Sequence, residues 1–284
     1  MEASQARARP PAARLDRAQL VLLAALLALA AVAWLVTNDR MGGMASTPGM
    51  DLGGVGFYVT VWVVMMAAMM FPSVAPTVLA YDRLRDGHRA RGRGAAPDAT
   101  ALFVAGYLWV WTAAGLAAYA LLDLVRAIDP AFLAWHEAGR YVAGGVIVVG
   151  AIYQVTPFKQ ACLVKCRSPL MFLAEHWRHG RAGAFELGSR HGAWCLGCCW
   201  ALMAALFAVG VMSLGWMALI AAFIAGEKLL PWPAAARVAV AVVLLALGLG
   251  VAFFPASVPG FDEPGGGMHD GGMHDGGGSV KMMQ

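Results

Sequence analysis

Five cysteines stand in two short stretches, ACLVKCRSPL at 161–170 and HGAWCLGCCW at 191–200. Cys162 and Cys166 are four apart, so a helix would carry both on one face. His191, Cys195, Cys199 and Met203 step by four and form a stripe along a second helix, with Cys198 on a neighbouring face. Thiolate, thioether and imidazole together are a soft donor set, the kind that selects Cu(I) over hard cations. Lys159, Lys165, Arg167 and Arg190 lie nearby in the chain, and neighbouring positive charge favours the thiolate that binds metal. Gly192 and Gly197 keep part of that surface low enough for another helix to approach. Two other uses of the same thiols stay open. Cys195 and Cys198 have Cys-x-x-Cys spacing and could exchange disulfides with Cys162 and Cys166, or all five could pack as small hydrophobes. Two clusters with ligand spacing favour the metal.

A second constellation is VVMMAAMMFPSVAP at 63–76. Met65 pairs with Met69 and Met66 with Met70, each at i,i+4, just before Pro72 and Pro76. Proline frees backbone carbonyls and bends a membrane helix, often where the bundle holds a cavity. Four thioethers beside a bend outline a path for a soft ion; filling irregular gaps is the other use of methionine. The third constellation is the tail, which repeats MHDGG and supplies Met268, His269, Met273 and His274, with Asp270 and Asp275 to attract cations. Met41, Met44 and Met50 belong to the same expected side. The tail has almost nothing to build a core and is expected to be disordered, as a donor segment or a solubilising linker. His88 reads as a solvated residue of an arginine-rich loop. His176 and His179 read either as further donors or as part of an interfacial amphipathic helix. Glu227 and Lys228 read as an anchor pair at a helix end.

The elements that must position these residues are apolar. Of 284 residues 60% are hydrophobic and only 13% charged, with mean hydropathy +0.64; a soluble domain carries about a quarter charged residues. The expected fold is all-α, a polytopic membrane helix bundle of about seven spans near 20–37, 55–80, 100–125, 141–156, 194–211, 215–230 and 234–254. Residues 193–226 hold no charge. At ~1.5 Å per residue they would make ~51 Å of helix, too long for one crossing of a ~30 Å core. A turn near Ser213–Gly215 is therefore expected; a single crossing would leave six spans. The bundle would run from 20 to 254, between a basic head at 1–19 and the tail at 255–284, with a cysteine-bearing loop at 157–192.

The head, 81–99, 157–192 and 227–237 hold 17 of the 21 lysines and arginines. That bias orients a bundle with these segments in the cytoplasm, which puts the N-terminus inside and the tail outside a bacterial cytoplasmic membrane. Net charge +4 is thus a topology signal rather than a sign of nucleic-acid binding. AVA at 31–33 fits a signal-peptidase site, and cleavage there would leave the remaining topology unchanged. The cytoplasm is reducing, so thiols at that side stay free.

No Gly-rich phosphate loop, zinc-protease motif or nucleophile elbow occurs, so a non-enzymatic protein without an organic cofactor is expected. The stretches MMAAMMFPSVAP (65–76), YQVTPFKQACLVKCRSPLMF (153–172), GSRHGAWCLGCCWALM (188–203), GVMSLGWM (210–217) and EKLLP (227–231) resemble a bacterial family of predicted metal-binding integral membrane proteins. That family is a domain of unknown function in which some members are described as copper chaperones or as suppliers of copper to oxidases. The resemblance covers about 55–255 and leaves out the tail. It implies metal handling centred on Cys162, Cys166, Cys195, Cys198 and Cys199. The expectation is a protein that binds a soft metal, foremost Cu(I), and moves or delivers it at the membrane for maturation of a copper enzyme. Its partners would be the lipid bilayer and a copper donor or copper-oxidase client, in an oligomeric state the sequence leaves open. A thiol–disulfide oxidoreductase and a structural membrane subunit are the alternatives. The orientation is checked by fusing a phosphatase that works only outside the cytoplasm. Activity at Ser279 and silence at His88 are expected, whereas activity at both, or silence at Ser279 in a well-expressed fusion, contradicts seven spans.

Overall fold

The computed structural model describes residues 16–42, 54–92, 96–128, 138–209 and 214–255. They form helices α1 (Arg17–Gly42), α2 (Val55–Ala90), α3 (Ala99–Ile128), α4 (Arg140–Gln154), α5 (Pro157–Arg167), α6 (Pro169–His176), α7 (Gly180–Val209), α8 (Leu214–Leu229) and α9 (Pro233–Phe253). No strand occurs among the described residues. The fold is an all-α helical bundle.

Segments of α1, α2, α3, α7 and α9 are long and apolar enough to cross a membrane, and α4 with α5, bent by 66° at their break, adds a sixth. The uncharged run divides as expected, with α7 ending at Val209 and α8 beginning at Leu214. Each of the seven expected spans therefore meets a helix, but two are short. α4 has 15 residues and α8 has 16, or about 23 and 24 Å at 1.5 Å per residue. The length criterion thus supports five to six crossings.

Residues 157–192, expected as a loop, are instead helical throughout most of their length, forming α5, α6 and the first turns of α7. Local chemistry explains the correction. The Thr156 hydroxyl accepts from the Lys159 backbone N–H and caps α5, and prolines occupy the first turns of both α5 and α6, where a missing N–H costs nothing. Gly180 takes a left-handed φ of +82° as α7 begins, a conformation that favours glycine. The charges at the start of α7 are paired: Glu186 accepts from Arg178 and from Arg190, four residues on. Lys165 and Glu175 join α5 to α6 at 2.8 Å, and the Lys165 ammonium holds the Glu175 carboxyl below the usual carboxylate range. That pair is exposed and contributes little; burial of Leu163, Phe172 and Leu173 does more to seat these two helices.

α7 lies at the centre, packed against α3, α4, α5 and α8, while α2 packs against α1, α3, α6 and α8. Glycine sets the spacing of α3 and α7. A Cβ on Gly188 would strike the Phe103 carbonyl, and one on Gly106 the Phe185 carbonyl. Ser189 donates to the Gly106 carbonyl across the same contact at 3.2 Å. Small residues allow helix backbones to approach this closely. In α2, Pro72 has no N–H to give the Ala68 carbonyl, and the Trp34 indole of α1 donates to that carbonyl at 3.1 Å. The carbonyl that the proline leaves free is thus tied to a neighbouring helix. At the far end of α2, buried Asp82 accepts from Thr100 at 2.8 Å and pairs with Arg85 at 2.9 Å, which fixes the start of α3.

The glycine contacts generate a paired test. Gly188→Ala must move the α3 backbone and is expected to cost about 1–3 kcal/mol, the range for overpacking. Gly145→Ala has open space around the new methyl and is expected to leave stability unchanged or slightly raised. Thermal unfolding of the two variants in detergent checks the contrast, and equal melting temperatures contradict the close packing.

Candidate metal centre

Helical periodicity builds the centre on α7. Cys195 and Cys199 share a face, Cys198 stands beside them, and the three sulfurs all lie within 4.8 Å of one another. All three are buried. The Cys198 and Cys199 thiols donate to the Cys195 carbonyl at 3.1 and 2.9 Å. Their hydrogens thus have an acceptor on their own helix, which lets them sit in apolar surroundings without a penalty.

Helix α5 brings the other two thiols. Cys166 Sγ lies 3.9 Å from Cys198 Sγ. Cys162 packs on α7 at Gly197, where a Cβ would lie 2.9 Å from its sulfur. The two cysteine stretches therefore meet in space. Gly197 leaves room for the Cys162 sulfur, which a side chain there would have to displace. All five cysteines are free and buried. No sulfur is within covalent distance of another, so the Cys-x-x-Cys spacing accompanies reduced thiols.

Basic residues are distributed differently from the sequence expectation. Lys159 pairs with Glu227 at 2.6 Å and also donates to Gln154, Lys165 goes to Glu175 and Arg190 to Glu186. Arg167 donates to the Glu227 and Leu230 carbonyls at 2.6 and 2.7 Å and so closes the C-terminal end of α8. The cation beside the thiols is Lys228, whose Nζ donates to Cys195 Sγ at 3.1 Å and to Ser73 Oγ at 3.3 Å. The reading of Glu227 and Lys228 as one anchor pair is therefore corrected. Adjacent helical residues diverge by about 100°, so Glu227 faces α5 and Lys228 faces α7. The Tyr107 hydroxyl of α3 also lies 3.1 Å from Cys195 Sγ. Ser73, Tyr107 and Lys228 were not among the expected site residues. Ser73 and Lys228 stand in the stretches MMAAMMFPSVAP and EKLLP, yet neither is a soft-metal donor by residue type, and no motif marks Tyr107.

His191 is buried against the rings of Phe103, Tyr107 and Phe172, with no hydrogen-bond partner for its Nδ1 among the described residues. It is on the α7 stripe with Met203, which is also buried, yet outside the three-sulfur group. His176 is turned to the Phe172 carbonyl at 3.0 Å. His179 faces His88, and His88 stacks on Trp177 at 4.6 Å. The reading of His88 as merely solvated is corrected, because a tryptophan face is there to cover it.

Met65, Met66, Met69 and Met70 are all buried. Two contacts give their depth. Ser73 shares Lys228 with Cys195, while Trp62 stacks on Phe207 at 5.6 Å. α2 and α7 are therefore antiparallel here, and the four methionines occupy the turns between the thiol level and the aromatic level. Trp62 also donates to the Trp111 carbonyl at 2.7 Å and lies on Gly115, where a Cβ would be 2.5 Å from its ring. Met44, Met50 and the tail donors Met268, His269, Met273 and His274 lie outside the described residues.

A family model described as "Copper chaperone" (PpoB2) matches residues 59–251. The chain belongs to this family. Comparison with curated proteins and with solved structures returns no match. The match spans every helix that contributes to the thiol centre and the whole methionine segment, and it agrees with the resemblance drawn from the cysteine stretches. The family description and the buried sulfur group are together consistent with non-enzymatic metal binding.

Burial of all five sulfurs predicts their chemistry. A bulky maleimide should label none of them in the folded protein and all five after denaturation, as counted by intact mass. Rapid labelling of Cys162 in the folded state would show that α5 does not stay seated on Gly197.

Proposed function

We propose that this protein binds Cu(I) at the α5–α7 thiol centre and delivers it at the membrane, for loading of a copper enzyme on the outer side. The observation that carries this reading is the group of three buried sulfurs within 4.8 Å, inside the region matched by the copper-chaperone family. Thiolates in a closed, apolar setting suit a soft d10 ion and suit hard cations poorly. Cys195, Cys198 and Cys199 would be the inner donors, with Cys166 and Cys162 on α5 as the donors that exchange with them. His191 and Met203 extend the set along α7.

Met65, Met66, Met69 and Met70 would carry the ion away from the thiols through the apolar interior. Their support is position, since they are buried in α2 within one to three turns of Ser73. The Met-His pairs Met268–His269 and Met273–His274 would receive the ion outside, where oxidation makes open thiols poor ligands. The bilayer orientation follows the lysine and arginine bias, with the N-terminus in the cytoplasm. No ATP-binding motif is present in the sequence, so movement would depend on a gradient or on donor and client proteins.

One set of variants tests centre and path separately. Losing a ligand should cost at least the about 10–100-fold in metal affinity seen for groups that merely support ligands. Cys162→Ser and Cys199→Ser are each expected to show that loss in competition with a Cu(I) chelator, while Met268→Ala leaves the inner centre intact. Leucine for all four α2 methionines conserves volume, a swap that usually costs under about 1.5 kcal/mol each. That variant is expected to bind Cu(I) normally yet fail to mature a copper oxidase in cells. Unchanged affinity in both cysteine variants leaves only packing or redox roles for the thiols, and normal oxidase maturation in the leucine variant leaves the methionines as filler.

A further inference from the structure

The buried charges around the thiols do not cancel unless the centre itself is negative. Lys159 and Glu227 form one neutral pair, both buried. Lys228 is also buried, and among the described residues it has no carboxylate within ion-pair distance. Its hydrogen-bond partners are Ser73 Oγ, a neutral group, and Cys195 Sγ. An unanswered ammonium in such a place is very unfavourable.

The hydrogen bonds say which sulfur answers it. Cys195 Sγ accepts from Lys228, and the Tyr107 hydroxyl lies at the same 3.1 Å. Cys198 and Cys199 donate their S–H groups to a carbonyl. One sulfur is thus placed to be a thiolate, while two are placed as thiols. From this, and resting on the reading of the centre as a Cu(I) site, we propose that Lys228 is the fixed counter-charge of the metal centre and limits it to two thiolates for each monovalent ion.

The charge balance is direct. A monovalent ion enters beside the Cys195 thiolate, and a second thiol, from Cys198 or Cys199, loses its proton to solvent and becomes the second ligand. One positive ion comes in and one proton goes out, with no change of oxidation state. The two-thiolate complex carries one net negative charge, which the Lys228 ammonium cancels. A third thiolate on the same ion would leave a further negative charge with no cation to meet it, since Lys159 is occupied by Glu227 and Arg167 by the end of α8. The third sulfur of the group stays protonated and available to take the ion over when it leaves. Lys228 is therefore a positioning residue, acting through charge rather than by touching the ion.

The test uses the full chain in detergent, with Cu(I) supplied from a competing chelator, and two readouts: affinity, and the number and distance of sulfur neighbours by X-ray absorption. Wild type is expected to show two sulfurs per Cu(I). Lys228→Met, of similar length and without charge, is expected to lose affinity by about 10–100-fold, the range for groups that support ligands, and Lys228→Arg to retain most of it. Lys228→Gln supplies a second neutral variant should Met disturb the fold. Three sulfurs in wild type, or neutral variants that bind as wild type does, overturn the counter-charge. Wild type that takes up no Cu(I) at all overturns the copper reading together with it, so the two failures are distinguishable.

Discussion

A buried ammonium in a bundle of apolar helices needs a negative partner, and the partner that Lys228 finds is a sulfur. Much of the centre follows from bringing these two groups within 3.1 Å. Lys228 arrives on α8, Cys195 on α7, Ser73 on α2 and Tyr107 on α3, so one polar contact ties four helices together at one depth. A contact of this kind tolerates little slack, because separating a buried ion from its partner costs several kcal/mol. The glycines of the α3–α7 contact and the Ala68 carbonyl held by Trp34 are then more than packing detail. They hold the helices in the one register where the lysine reaches the thiol.

The second buried pair has a related role one face away. Lys159 on α5 and Glu227 on α8 neutralise each other, and Arg167 binds the closing carbonyls of α8. Together they anchor α5, a short helix bent sharply from α4, against the end of α8. α5 carries Cys162 and Cys166, so this anchoring is what delivers the outer two thiols to the inner three. Breaking the pair would leave a charge stranded beside the thiols and release the helix that bears them.

The apolar helices, the division of 193–226 and the grouping of cysteines by steps of four were legible in the sequence, because each rests on a local quantity: hydropathy, length or spacing; that the two cysteine stretches meet in space was not. The ion-pair partners were not legible in the same way. Lys159, Lys165, Arg167 and Arg190 lie nearest the cysteines along the chain, yet each is engaged by a carboxylate or a carbonyl elsewhere. Lys228 is 33 residues from Cys195 and reaches it across a helix hairpin. Sequence proximity is a poor guide to electrostatics once helices cross, since the partner is decided by which face a residue occupies on a neighbouring element. The extent of helix in 157–192 was missed for a different reason. The segment read as a loop because it joins two apolar spans, but its charges are paired along and between helices, and paired charges do not break a helix.

The sulfur layers differ in charge, and that difference orders them. On the proposed reading, two thiolates beside Lys228 would hold a monovalent ion with no net charge left over, so the ion would be at its most stable there. Thioethers are neutral, so an ion among Met65, Met66, Met69 and Met70 keeps its full positive charge inside an apolar interior, with the costs of desolvation that follow. The thiol centre would then be the place of rest and the methionine segment at most a place of passage. An ion so held would leave the thiols only when something lowers the cost of parting: return of a proton to the second thiolate, or a better ligand offered at the far end. Delivery would therefore turn on what accepts the ion, and binding on what Lys228 allows.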